Sequence, residues 1–484
     1  MRGTNGPDRI QTVNRVRDLV SCGRGRDLAT VDRLDLVRVD CEVVTREISR
    51  DPYRNTRSRH ETEVEPDTAA NGAMVVAVFQ VGRIFDGGAA NIGFAVSRDR
   101  GRSWKHGFLP GLTPFSRPRG QYSGATDPSV AYDDLHRFWL VASLAFGPDS
   151  SALLVSRSRD GAHWSQPVVA TLAPTTSPDQ LLLDKEWIAC DNGAGSPFRG
   201  RCYVSFDDLR TTQIATQFSA DGGLTWSVAA SGPGFPGRKS IAGSFAPGVQ
   251  PVVRPDGSVV IPYFDQTRLA AIRSTDGGVS WSGAIPIAPA GYRAHSGVRA
   301  GPLPSAEADR AGTVYVAWTD CTRRSGCAAN DLLVARSPDG VSWSVPVRVP
   351  TGAADVELPG LAATGSGRLA IAYYVLRRRS LDVAFVSSSD GGARWSIPRR
   401  LNSRSVALRW IVRTSQGSMV GDYISTAFAG GRRPCLRSRH PAGSRQAARV
   451  DVRHLARGRA IPLTKPSAMR PPPGPAVPRR RRRP

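Results

Sequence analysis

Six copies of one short pattern decide most of what this 484-residue chain can fold into. They read SRDRGRSW at 97–104, SRDGAHW at 158–164, SADGGLTW at 219–226, STDGGVSW at 274–281, SPDGVSW at 337–343 and SSDGGARW at 388–395, each between two short apolar runs. An Asp side chain accepts hydrogen bonds from backbone N–H groups a few residues on, and the glycines after it supply the positive φ of a tight turn. The Trp then lays a large apolar face on a neighbouring element. The pattern therefore describes a stapled hairpin corner. Its aspartates, Asp99, Asp160, Asp221, Asp276, Asp339 and Asp390, are separated by 61, 61, 55, 63 and 51 residues. A fixed turn on a unit of roughly 40 to 60 residues is the mark of propeller blades.

The pattern resembles the Asp-box, or bacterial neuraminidase repeat, of the sialidase superfamily, over about residues 65 to 431. The resemblance implies an all-β β-propeller with six Asp-box blades, either six-bladed or seven-bladed with an incomplete last blade. The second repeat shows the plan most clearly, with strands expected at 128–133, 137–145, 152–158 and 164–170. The same plan sets inner strands near 66–70, 186–190, 249–254, 304–309 and 359–364, and a seventh start at 419–425 with no further Asp-box. The alternating run 41–48 suits a strand that helps to close the ring. Three regions follow: a poorly structured segment 1–40, the propeller 41–431, and a disordered basic tail 432–484 rich in Pro and Arg.

Charge separates the tail from the rest. The formal net charge is +24, and 432–484 holds 16 Lys or Arg against one acid, so the tail supplies most of it. That argues against a specific nucleic-acid partner, although the run 479–483 can touch polyanions non-specifically. No signal peptide and no membrane-spanning run is legible, and a monomer is expected. Of seven cysteines, Cys190 with Cys202 and Cys321 with Cys327 bracket short loops and suit local disulfides, which favour an extracellular or cell-envelope location. No Cys/His spacing suits zinc, so neither metal nor cofactor is expected.

Polar residues cluster where the inner strands begin: Glu65 and Asp67, Asp127, Asp184 with Lys185 and Glu186, Gln250, Ser305 with Glu307, and Asp422 with Tyr423. Arg83, Asp86 and Arg299 lie in nearby loops. A sialidase-like mechanism needs arginines to grip a substrate carboxylate, an acid near the departing oxygen and a nucleophile. In the family the nucleophile is a Tyr whose proton passes to a Glu. By resemblance, Tyr423 is the expected nucleophile, Glu307 or Glu186 its base, Asp127 or Asp86 the acid, and Arg83 and Arg299 the carboxylate holders. Glu65, Asp67, Lys185 and Asp422 complete the expected substrate-binding set. The chain departs from the family where its first inner strand reads Glu65-Pro66-Asp67-Thr68 in place of an aromatic-Arg-Ile-Pro motif; the nearest echo, Gly82-Arg83-Ile84-Phe85, comes later and lacks the Pro. The resemblance implies a glycoside hydrolase acting on terminal acidic sugars of glycoconjugates, with a non-catalytic glycan- or protein-binding propeller as the alternative.

Overall fold

The structure, a computed structural model, describes residues 1–174 except 26, 33, 39 and 42, then 183–209, 213–231, 248–265, 267–295, 298–365, 367–430, 433–437 and 453–454. The tail expected to be disordered lies almost wholly outside these residues. Among them there is no α-helix, and the architecture is an all-β propeller. The inner strands are Ser58–Asn71, Gly124–Asp133, Leu183–Cys190, Val252–Val253, Ser305–Ala308, Asp355–Thr364 and Ser425–Ala429. Each of the first six opens an antiparallel meander, such as Gly124–Asp133, Phe138–Phe146, Ser150–Ser158 and Val168–Pro174. Radial stacking of these sheets buries the apolar face of every second and third strand, for example Val141, Leu144, Leu153 and Val155. Repetition around an axis leaves only short exposed edges.

The repeated turns join neighbouring sheets. In the third, Ser219 Oγ donates to Asp221 Oδ1 at 2.8 Å, and the same oxygen accepts the N–H groups of Leu224 and Thr225 at 2.9 and 3.0 Å. Partial burial opposes ionisation of Asp221, yet the bonds from Thr225 and Ser219 hold its pKa down at about 2. The glycines matter because the turn lies flat on the preceding sheet. A Cβ on Gly223 would stand 2.9 Å from Leu140 Cδ2, and one on Gly340 2.7 Å from Val260 Cγ2. An arginine of the preceding sheet then donates to the turn's carbonyl, as Arg157 Nε does to Gly222 O at 2.6 Å and Arg201 Nη1 to Gly277 O at 2.8 Å.

A second set of bonds runs around the axis. Near the start of each inner strand a side chain accepts the backbone N–H of the next: Asp67 from Val130 (2.8 Å), Ser129 from Ile188 (3.1 Å), Gln250 from Ala306 (2.6 Å), Ser305 from Leu361 (3.0 Å) and Ser425 from Thr68 (3.1 Å). Trp187, whose indole accepts no hydrogen bond, interrupts the sequence, and Pro251, next to Gln250, has no N–H to give. At Gly360 the direction reverses, and Thr426 Oγ1 donates to its carbonyl at 2.7 Å. The ring therefore closes through Ser425–Ala429, which touches both Asp355–Thr364 and Ser58–Asn71.

Two expectations change. Residues 1–40 are not poorly structured: Arg9–Thr12, Leu28–Val31 and Val43–Arg46 stack as three parallel, in-register strands, with Leu19–Val20 pairing Leu36–Val37 beside them. Ile10, Ala29 and Val44 form its core with Val20, Val31 and the disulfide-bonded Cys22 and Cys41. Scattered Val and Leu among Arg and Asp fit such a stack because its rungs are short and bury polar side chains too, Thr12, Thr30, Thr45 and Arg46 among them. The strand near Val43 is thus a rung of this stack and does not close the ring. The disulfides Cys190–Cys202 and Cys321–Cys327 are formed as expected.

Candidate active site at the channel mouth

Four inner strands carry a β-bulge at the same point, marked by register shifts at Val64/Asp67, Thr126/Ser129, Asp184/Trp187 and Glu357/Gly360. The first bulged residue has positive φ in each: Glu65 (52°), Asp127 (48°), Lys185 (52°) and Leu358 (48°). Bulges re-aim side chains, and these bring three charged groups, each about sixty residues from the next in the chain, into one cluster. Lys185 Nζ lies 3.9 Å from Asp127 Oδ1 and bonds Asp422 Oδ2, which also accepts from Arg299 Nη2. Asp422 N donates to Glu65 Oε1 at 3.1 Å, and Gln80 Nε2 donates to both Glu65 and Thr126.

Environment divides these acids. Burial, then the charge of Asp127, pushes the Glu65 carboxyl well above its ordinary range. Burial opposes ionisation of Asp127 and Asp422, but Lys185 holds both down, helped at Asp422 by Arg299. The two carboxyls also act on each other in opposite directions, Asp127 raising Glu65 and Glu65 lowering Asp127. Burial also raises Asp184, to about 6.

Arg83 and Arg299 meet at a sulfur. Arg83 Nε is 3.2 Å and Arg299 Nη1 3.8 Å from Met419 Sδ, a weak acceptor compared with a carboxylate. Arg299 belongs to a small sheet with 412–419, in which Val298–Arg299 pairs with Gly417–Met419. Arg83 is anchored besides by Nη1 donating to Gly88 O at 2.5 Å.

The other expected residues go elsewhere. Tyr423 reaches across the channel, its hydroxyl donating to Pro128 O at 2.9 Å and its ring edge-on to Trp187 at 5.1 Å. Glu186 follows Lys185 in its bulge, where other strands have Pro66, Pro128 and Pro359. It is buried beside a narrow cavity of about 30 Å³ shared with Val249, Pro304 and Tyr423, and among the described residues neither carboxylate oxygen has a hydrogen-bond partner. Burial pushes its carboxyl well above the usual carboxylate range. Asp86 is exposed. Glu307 and Asp67 line a funnel of about 840 Å³ at the far end of the channel, with Asn71, Asp134 and Arg310 at its rim. Burial raises Asp67 to about 6 and Glu307 to about 8, the charge of Asp67 adding to the second shift.

Sequence reasoning missed a second cluster. Tyr292 OH donates to Glu357 Oε2 at 3.2 Å, Asn330 Nδ2 donates to Glu357 Oε1 at 2.7 Å, and His295 Nε2 lies 2.5 Å from the same oxygen. Arg293 Nη1 donates to Asp355 Oδ2 at 3.2 Å. The ligand atoms of His295, Asp355 and Glu357 lie within 4.8 Å of one another, close enough to share a cation, yet here they are bonded to each other and to Tyr292, Arg293 and Asn330. The Asp422 charge reaches Tyr292, whose hydroxyl burial and Glu357 hold in the protonated form. One signal was available: Glu357 stands one residue before its bulge, as Asp184 does, in Val356-Glu357-Leu358-Pro359.

No protein-family model matches this chain, and no curated protein does. Solved structures similar to it include an intramolecular trans-sialidase from Ruminococcus gnavus in complex with oseltamivir carboxylate, at 14% identity over 66% of this chain and 90% of that one (TM-score 0.47). A Trypanosoma rangeli sialidase is 15% identical over 70% of this chain and 58% of its own (TM-score 0.44). A family PL25 polysaccharide lyase, an ulvan lyase, is 12% identical over 82% and 97% (TM-score 0.46). At such identities the role of every residue rests on geometry alone.

Proposed function

We propose that this chain is a sialidase-like glycoside hydrolase that removes terminal acidic sugars from glycoconjugates. The observation that carries the reading is the convergence of Arg83 and Arg299 on Met419 Sδ. Two guanidinium groups aimed at one weak acceptor suit a carboxylate that displaces the sulfur and takes charge-assisted bonds from both. Tyr292 and Glu357 supply the tyrosine–carboxylate pair that the chemistry needs. Glu357 takes the phenolic proton, the oxygen attacks the anomeric carbon, and the Glu65–Asp127 pair gives its proton to the departing oxygen; water then cleaves the tyrosyl-glycoside. On this reading Tyr423 belongs to the channel wall.

A non-catalytic glycan-binding propeller is the second reading. It is favoured by Asp422, which already engages Lys185 and Arg299 and so occupies part of the cationic set. We further read six four-stranded blades with Ser425–Ala429 in a seventh position, a monomer, and an oxidising compartment, the last supported by three disulfides. Fluorophore release from an α-linked sialoside tests the main reading. Turnover abolished by Tyr292→Phe and by Arg299→Ala, and retained by Tyr423→Phe, is the expected result. Turnover that survives Tyr292→Phe overturns the nucleophile, and binding without turnover by the folded wild-type protein selects the second reading.

A further inference from the structure

Outside the mouth, the loop between the first two sheets builds a groove that none of the chemistry above uses. Its volume is about 670 Å³, and it is lined by Pro52, Tyr53, Phe108, Phe115, Arg117 and Arg119. The rings interlock, Tyr53 lying 5.5 Å from Phe108 and 5.8 Å from Phe115 at tilts near 60°. The loop is rigid. Gly111 N bonds Pro118 O at 2.9 Å, Gly120 N bonds Thr113 O at 2.8 Å, and Ser116 Oγ accepts from the N–H groups of Leu112 and Thr113 while donating to Asn91 at 3.1 Å. Arg117 and Arg119 are exposed, and among the described residues neither forms an ion pair.

The groove shares a face with the mouth. Ala89, where its supporting strand begins, pairs with Arg83, and the loop ends at Gly124, three residues before Asp127. We propose that this groove is an accessory binding site for an anionic glycan chain, holding the sugars that follow the terminal unit at the mouth. Aromatic rings offer flat apolar faces to the C–H surfaces of a pyranose, and free guanidinium groups grip carboxylate or sulfate in bidentate fashion. The combination matches a charged sugar better than an acidic peptide, which needs no flat floor. The inference rests on the reading of the mouth as an acidic-glycan site, but its test is separate.

Binding of the full-length protein to polysialic acid, alginate oligosaccharides and neutral dextran is measured by calorimetry at two salt concentrations. Polysialic acid or alginate should bind and dextran should not. Arg117→Ala with Arg119→Ala, and separately Phe115→Ala, should each weaken binding by about tenfold or more, the scale of losing one charge-assisted contact. Turnover of a small fluorogenic sialoside should stay unchanged in all of them. A loss in the arginine variant with none in Phe115→Ala means general attraction of polyanions, to the basic tail included, and overturns the proposal. So does tighter binding of a poly-glutamate peptide than of either glycan. If Arg299→Ala removes all chain binding and the groove variants remove none, the groove fails and the mouth stands. If the groove variants lose chain binding and the wild-type protein turns over no sialoside, the groove stands and the hydrolase reading fails.

Discussion

Replacing Glu307 by Gln should stabilise the protein at neutral pH and leave it unchanged below about pH 4.5. Glu307 has its pKa raised from the ordinary 4.5 to about 8, by burial first and by the charge of Asp67 second. The folded state therefore holds a proton that the unfolded chain releases between those two values. The protonated acid's full stability is present below 4.5 and is lost progressively as pH rises through 8. At about 1.4 kcal/mol per pKa unit, the 2.5 units between 4.5 and 7 give a ceiling of about 3.4 kcal/mol. The funnel is open and polar-lined and the residue half-buried, so solvent screening leaves about 1–2 kcal/mol as the working expectation at pH 7. Gln keeps the size and hydrogen-bonding capacity of the neutral acid and cannot ionise. Urea unfolding of both proteins between pH 4 and 9, with m-values compared to confirm the same unfolded reference, gives the difference directly. A difference that is constant across this range, or that grows toward acid, refutes the assignment of a neutral Glu307 in the fold.

Gly360→Ala should destabilise by about 2 kcal/mol or more, since the added Cβ would meet Ile424 O at 2.4 Å and neither backbone can withdraw from the closing strand; thermal unfolding reads it. Asp221→Ala should lower the midpoint of urea unfolding, because two backbone N–H groups lose their acceptor, and should leave mouth binding intact. The pKa values of Asp221, Asp276 and Asp390, held at about 2 against an ordinary 3.8, stabilise the fold above pH 3.8; that contribution should fall away as pH drops from 4 toward 2, in an acid-unfolding curve that Asp221→Asn shifts toward higher pH. Reduction of Cys22–Cys41 should loosen residues 1–46 to hydrogen exchange before the propeller strands are affected.

The turns and strand order were legible because they are local. Ser219, Asp221, Gly222 and Trp226 act within one corner, and their spacing alone states the repeat. The charge cluster was legible as a list but not as a pairing. Glu65, Asp127, Lys185 and Asp422 all lie in or just before inner strands, yet nothing in the sequence says that Asp422 will neutralise Lys185 and Arg299. Glu307 and Glu186 show the limit. Each lies in an inner strand, but one or two residues of register separate the mouth from the narrow cavity and the far funnel, and the bulges that set the register are written only in positive φ at Glu65, Asp127 and Lys185. Tyr292 and Glu357 meet across 65 residues of chain, which no local pattern signals.

The bonds passed from one inner strand to the next have a consequence for synthesis. Thr68 N waits for Ser425 and Gly360 O for Thr426, so the first and sixth sheets stay unsatisfied until the strand that carries Ser425 and Thr426 has been made. Sheets emerging earlier can stack pairwise on the ribosome, but the ring latches only when residues 425–429 have left the exit tunnel. A ribosome stalled before that point would display an open horseshoe with two exposed strand edges, the form that chaperones hold and proteases cut.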